Sequence, residues 1–218
     1  MNIFERLYKE LRKKYGKPKE QWNLWCKRPK TKQEKEEVVI GAILTQRTNW
    51  KNVELALENL KNKKIVSLES LYHLGSKKLA SLIKPAGFYK AKAQYLFNLV
   101  KFIVENYGSL EKLRKVGLKE LREKLLKVKG VGPETADSIL LYALDKPIFV
   151  IDEYAKRLIK ERNLIEKTNY HFLQKLFEEN LRKDFRLYQD FHALIVINGK
   201  NKKRPLRGVA KGDSKNKK

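Results

Sequence analysis

The sequence is poor in the features that would place a chain outside a reducing, aqueous setting. Cys26 is the only cysteine, so neither an intrachain disulfide nor a four-cysteine metal cluster can form. No stretch approaches the ~20 consecutive apolar residues of a membrane span. The N-terminal residues, which include Glu5 and Glu10, lack the apolar core of a secretory signal. Acidic side chains are few: 25 Asp+Glu stand against 50 Lys+Arg, a formal net charge of +25. Such an excess favours polyanions, nucleic acid first and acidic membrane surface second. The 218 residues suffice for one large or two small domains with a sizeable core. The expectation is a soluble, intracellular, cytoplasmic and nucleoid-associated protein without a membrane partner.

One stretch, Leu126 to Asp152, organises the rest. Gly130 and Gly132 can take the positive φ angles that end a helix and let a backbone approach a ligand. Pro133 suits the first turn of a following helix, and Glu134 complements the positive end of its dipole. Ala136, Ile139, Leu140, Ala143 and Leu144 then recur at helical spacing. Lys127 and Lys129 flank this turn, whose free N–H groups suit a phosphate. A Gly-x-Gly alone is better read as a tight helix–helix turn. Past it, the apolar run Ile148 to Ile151 delivers one carboxylate, Asp152, ahead of another helical pattern. An aspartate there either caps that helix or serves chemistry at the turn.

Elsewhere the periodicity is helical throughout. Residues 1–20 carry Ile3, Leu7 and Leu11 and stop near Gly16 and Pro18. Trp22 and Trp25 follow in an expected loop, where an indole either plugs a core or lines a pocket. Glu36 to Leu44 forms a helix that ends in the polar run Thr45-Gln46-Arg47-Thr48-Asn49, an unusual link between two apolar helices. Trp50 opens the next helix and is read equally as a core aromatic or a stacking surface for a base. Pro85 and Gly87 punctuate a turn that carries Phe88 among lysines, an arrangement suited to a wedge between base pairs. Three patterns follow Asp152: Ala155–Arg162, Phe172–Leu181 and Tyr188–Ile197, the last ending at Asn198-Gly199. Residues 201–218 form a basic tail, expected to be disordered.

The run Leu-Lys-Val-Lys-Gly-Val-Gly-Pro-Glu-Thr-Ala followed by Val-Ile-Asp resembles the helix–hairpin–helix and aspartate of the endonuclease III superfamily of DNA glycosylases. With Leu-Thr-Gln-x-Thr, Pro-x-Gly-Phe-Tyr and Gly-x-Gly-x-Glu-x-Ala-Asp, it is most similar to the 3-methyladenine DNA glycosylase III group. The resemblance spans roughly residues 20–200. It implies an all-α fold of two helical subdomains with a DNA-binding cleft between them. Residues 31–145 would form a six-helix barrel holding the hairpin (126–140), and 1–30 plus 146–200 the second subdomain.

The same resemblance implies the roles. Asp152 would be catalytic, and Trp22, Trp25, Trp50, Glu134 and Lys200 would form the base pocket. Gln46, Phe88, Lys127, Lys129, Gly130, Val131, Gly132 and Thr135 would meet DNA, with Gln46 filling the void left by an extruded base and Phe88 as the wedge. Bifunctional relatives carry a lysine where this chain has Glu134, and a glutamate cannot form their imine. The implied enzyme is therefore a monofunctional glycosylase acting on alkylated purines. It would be a monomer whose partner is double-stranded DNA containing damaged bases. No iron–sulfur cluster and no other cofactor is implied; a metal at the hairpin would be an alkali ion without a catalytic role. The competing readings are a glycosylase for oxidised or mismatched bases and a non-catalytic helix–hairpin–helix DNA-binding protein.

Overall fold

The computed structural model describes residues 1–164 and 169–202, and these hold helices and no strand. The helices are α1 (Ile3–Tyr15), α2 (Trp22–Trp25), α3 (Lys32–Leu44), α4 (Trp50–Asn62), α5 (Leu68–Leu82), α6 (Tyr89–Tyr107), α7 (Leu110–Arg114), α8 (Leu118–Leu126), α9 (Pro133–Ser138), α10 (Glu153–Glu161), α11 (Tyr170–Asn180) and α12 (Phe185–Asn201). A short 3-10 turn, Lys84–Ala86, precedes α6, and α9 runs on into one wide π turn, Ile139–Ala143. The expected basic tail lies, beyond Lys202, outside the described residues.

Local chemistry sets the ends. Asn2 and Thr31 cap α1 and α3, each in a capping box with the glutamate three residues on. Gly75, at φ 75° and ψ 161°, breaks α5 into two short helices. Trp22 and Trp25, expected in a loop, instead sit in the single turn of α2, because burial of both indoles winds the segment.

Two sets of helices pack around one continuous apolar core. In the first, α3 lies against α4, α6, α7 and α9 with its wide turn, and α5 runs along α6. Every residue of α3 from Val38 to Leu44 is buried, as expected of a central helix apolar on all sides. In the second set, α1 and α10 pack on α12, and α1 also meets α11. The π turn touches both α3 and α12 and so joins the sets.

Asp152 is delivered by Ile148–Ile151, a buried stretch outside any helix. Such a backbone needs partners from side chains. Glu178 accepts from the Phe149 N–H at 2.8 Å, and Gln174 donates to the Phe149 carbonyl at 2.7 Å. The Phe149 ring stacks on Phe177 at 4.2 Å, and full burial of such a ring contributes roughly 1.5–3 kcal/mol.

Gln174 also donates to Asp137 on α9. Asp137 is fully buried and also accepts two hydrogen bonds from Arg122 on α8 and one from Tyr170 on α11. A chain of polar contacts therefore links the hairpin's second helix to the backbone three residues before Asp152.

One boundary departs from the sequence expectation. Gly199 does not stop α12, which continues to Asn201. A Cβ at Gly199 would lie 2.2 Å from the Tyr154 ring, so the missing side chain lets α12 pass α10. The glycine is a packing residue here.

Candidate active site

Asp152 caps α10: its Oδ1 accepts from the Ala155 N–H at 2.7 Å. Capping leaves the second oxygen free, and Oδ2 lies 3.5 Å from His192 Nε2. The carboxylate is 9% exposed and borders a cleft of about 820 Å³ between the two helical sets. The cap and cleft readings are thus satisfied by different atoms of one side chain.

The cleft brings together every expected pocket residue: Trp22, Trp25, Trp50, Glu134 and Lys200 all border it with Asp152. Trp22 and Trp25 are both buried, at ring centroids 6.0 Å apart, and Trp50 meets Trp25 edge-on at 6.0 Å. Trp50 is half-buried, and its indole N–H donates to Glu54 at 2.6 Å. Trp25 is seated against α3, where a Cβ on Gly41 would stand 3.2 Å from its ring. The three indoles therefore form a graded wall, rigid at the back and open at Trp50.

Glu134 stands in the first turn of α9, with Asp152 across the cleft. Desolvation raises its carboxyl to about 7, with the Asp152 charge adding to the rise. By surface area Glu134 is an exposed residue, so cleft water screens that charge and limits the rise. Lys200, in the last turn of α12, donates to Gln21 Oε1 at 2.9 Å. Desolvation lowers its ammonium, and the carboxylates of Glu20 and Asp152 partly offset this.

At the hairpin, Lys127 and Lys129 are exposed, and Val131 is buried beneath them. Only Gly130 has a positive φ, at 100°; a Cβ there would lie 2.2 Å from Tyr95. The matching expectation for Gly132 is corrected: it sits at φ −89° as the cap of α9. No side chain covers the first N–H groups of that helix, because Gly132 has none to offer.

Thr135 is buried and faces Gln46, whose amide donates to both the Thr135 hydroxyl and the Gly130 carbonyl at 3.0 Å. Gln46 is thus drawn against the hairpin rather than extended from its turn. Phe88, in contrast, is 67% exposed and held at φ 45°. That left-handed backbone costs a residue bearing a Cβ roughly 1–2 kcal/mol and holds the ring clear of its own turn.

Two residues of the site gave no signal in the sequence. His192 lies on α12 amid apolar neighbours, a pattern indistinguishable from a core histidine. Tyr142 is fully buried in the π turn, and its hydroxyl lies 2.7 Å from His192 Nδ1 and 3.2 Å from the Gln189 carbonyl. Burial raises the phenol well above its ordinary range, so it remains a neutral hydrogen-bonding group. It can donate to Nδ1, leaving the imidazole to point Nε2–H at Asp152. Alternatively it donates to Gln189 and accepts from Nδ1–H. Either histidine state is satisfied on that side.

The arrangement is a carboxylate at the foot of an aromatic cleft, beside a basic hairpin and an exposed aromatic ring. Among the described residues no His/Cys/Asp/Glu group of metal-holding geometry occurs, and no helix is long and apolar enough to cross a membrane.

Comparison with known proteins accords with this geometry. Over 163 residues, 73% of this chain and 74% of the relative, the chain is 51% identical to a Methanocaldococcus jannaschii protein provisionally named a DNA repair glycosylase. It is similar to the crystal structure of the 3-methyladenine DNA glycosylase of Helicobacter pylori bound to 1,N6-ethenoadenine. That match has a TM-score of 0.75 and 34% identity, covering 92% of this chain and 98% of that one. A non-covalent complex of endonuclease III with DNA shares the fold, with a TM-score of 0.71 at 17% identity, over 92% of this chain and 87% of that one. The family profile matches residues 40–183. The chain belongs to the HhH-GPD superfamily of base excision DNA repair proteins.

Proposed function

We propose that this protein is a monofunctional DNA glycosylase that hydrolyses the N-glycosidic bond of alkylated purines flipped out of duplex DNA. The observation that carries this reading is the cleft itself: three indoles with Glu134 and Asp152 among the carboxylates that line it, and glutamate where a lyase lysine would stand.

Methylation at a ring nitrogen makes a purine cationic and weakens its glycosidic bond, so little acid catalysis is required. Asp152 stabilises the oxocarbenium-like sugar and orients or activates water. The indole faces hold the cationic base by cation–π attraction, and Glu134 and Lys200 set its edge contacts. Lys127, Lys129 and the free N–H groups beside Val131, at Gly130 and Gly132, hold a phosphate, and Phe88 props the duplex open. Residues 31–145, with the hairpin, act as one subdomain and 1–30 with 146–200 as the other. The working form is a monomer bound to damaged double-stranded DNA, in the compartment that holds DNA.

The residues do not fit an iron–sulfur cluster. Cys26, the sole cysteine, donates from Sγ to the Gln189 carbonyl at 3.7 Å, and burial pushes its thiol up to about 12. An alkali ion at the hairpin would share carbonyls already in use, since Lys129 and Gly130 accept from Asn98 and Gln46.

The test is a panel of duplexes containing 3-methyladenine, 7-methylguanine, ethenoadenine, 8-oxoguanine, thymine glycol, uracil and mismatched thymine. Base release is scored before and after alkali, with borohydride added in parallel. Release of alkylated purines, strand scission only after alkali and no trapped adduct are expected. Release confined to oxidised bases, or a trapped adduct lost in Lys200→Ala, would replace this reading with a lyase-coupled one.

A further inference from the structure

Two turns face each other beside the cleft, Thr45–Asn49 after α3 and Gly87–Phe88 before α6. Each holds a residue other than glycine in the left-handed region: Arg47 at φ 53° and Phe88 at φ 45°. Both side chains are exposed, and the Arg47 guanidinium lies over the Phe88 ring, 6.0 Å from its centroid. An exposed cation over an exposed aromatic, at the limit of cation–π range, stands beside the layer that a base would take on a wedge between base pairs. Arg47 also borders the mouth of the cleft with Asn49, Asp152 and Tyr154. Its neighbour Gln46 has both amide hydrogens committed to the hairpin, on Gly130 and Thr135. The strained backbone at Arg47 therefore sends one of two adjacent long polar side chains inward and the other outward.

We propose that Arg47, set beside Phe88, enters the gap left by the extruded base and reads the Watson–Crick edge of the base left unpaired, while Gln46 stays bound to the hairpin. The inference rests on reading the cleft as a base-excision site, and it adds a specificity-determining residue on the opposite strand. The chemistry fixes a ranking. A guanidinium carries donors only. Cytosine offers two adjacent acceptors, N3 and O2, which accept its paired N–H groups in parallel. Thymine and adenine each offer acceptors interrupted by a donor or limited to one. Guanine turns two donors, N1–H and N2–H, toward the arginine and one acceptor away from them. Cytosine is thus bound best and guanine worst.

The experiment measures equilibrium binding of the full chain to duplexes carrying a tetrahydrofuran abasic analogue opposite each of the four bases. An abasic duplex has no base to excise, so the outcome does not depend on which lesion the enzyme prefers. Wild type is expected to bind the cytosine duplex at least about tenfold tighter than the guanine duplex, the range of a good bidentate base contact. Arg47→Ala should lower affinity for all four and level the ranking. Arg47→Lys should restore much of the affinity without the ranking, since a point charge lacks the paired donors. Gln46→Ala should keep the ranking. A ranking unchanged in Arg47→Ala, or lost in Gln46→Ala and kept in Arg47→Ala, overturns the proposal, as does a wild type indifferent to the opposite base. Equal wild-type affinity for abasic and intact duplex would overturn it together with the reading on which it rests.

Discussion

His192 Nε2 stands 3.5 Å from Asp152 Oδ2 and has no hydrogen-bond partner among the described residues. The catalytic carboxylate proposed here is therefore held by its own helix and faced, without a hydrogen bond, by an imidazole anchored on Tyr142. Asp152→Asn preserves the cap, because asparagine is as good an N-cap as aspartate. It should lower single-turnover excision by about 10²–10⁴-fold, the range of a positioned acid–base group, while DNA affinity holds or rises. Full activity in that variant would reduce Asp152 to a cap. His192→Gln should fall between the two, with a change in kcat and little in KM.

Glu134 gives the cleft a pH response. Desolvation, with the Asp152 charge, raises its carboxyl toward about 7, so ionisation places a second negative charge beside the base as pH rises toward neutrality. Excision of a cationic lesion such as 3-methyladenine should rise between pH 6 and 8, while excision of neutral ethenoadenine stays flat. Glu134→Gln should erase the difference. The linkage to stability has the opposite sign to that of a salt-bridged carboxylate. The folded value lies above the unfolded ~4.3, so the protonated form favours the fold, and this contribution fades as pH climbs through 7. Glu134→Gln should raise Tm at pH 8 and leave it unchanged at pH 4. Parallel pH profiles for both lesions would remove Glu134 from base recognition.

The indole wall should split by depth. Trp50→Ala should cost about 1–3 kcal/mol of base stacking with a small change in Tm, and Trp50→Phe should recover part of it. Its loss should weigh more on a cationic base than on a neutral one. Trp25→Ala should instead unfold the wall from behind, lowering stability by about 3–5 kcal/mol and activity on every lesion alike. A drop in Tm with Trp50→Ala as large as that with Trp25→Ala would make Trp50 a core residue.

Asp137 tests the link between hairpin and catalytic loop. Arg122→Met leaves a fully buried carboxylate without its cation and should destabilise by about 3–5 kcal/mol, read by denaturant titration. Replacing both partners, Arg122→Met with Asp137→Leu, should recover much of that loss. No recovery would show that Tyr170 and Gln174 need Asp137 more than Arg122 does.

Much of this was legible from residue pattern alone. Apolar spacing placed the helices, and Ile148–Ile151 before a helical pattern marked Asp152, because a buried run needs no partner to announce itself. Lys127, Lys129 and the positive φ of Gly130 were legible because charge and turn chemistry are local. What stayed hidden depends on neighbours distant in sequence. Gly132 resembles Gly130 in the sequence, but only Gly130 lies over Tyr95. Gly199 looked like a stop signal because Tyr154, which it accommodates, is 45 positions away. Gln46 was expected to point outward, and its acceptors on the hairpin lie 84 and 89 residues along the chain. His192 carried no local mark at all.

The pairing of α1 with α12 has a consequence for how the cleft comes into being. Tyr15 donates to Asn198 on α12, and Asn2, the cap of α1, donates to the Asn180 carbonyl at the end of α11, contacts that span 183 and 178 residues. The helices α3 to α9 close among themselves, whereas the set carrying Asp152, His192 and Lys200 must bring together distant parts of the chain and pays loop-closure entropy to do so. The helices α3 to α9 are expected to gain amide protection first in pulse-labelled refolding, and α1 with α12 last; simultaneous protection would refute that order. During synthesis, a chain that has not yet released α12 from the ribosome has the hairpin and the exposed Phe88 but no second wall to its cleft. On the proposed roles of these residues, nascent protein of this kind is expected to touch DNA before it can cut a base from it.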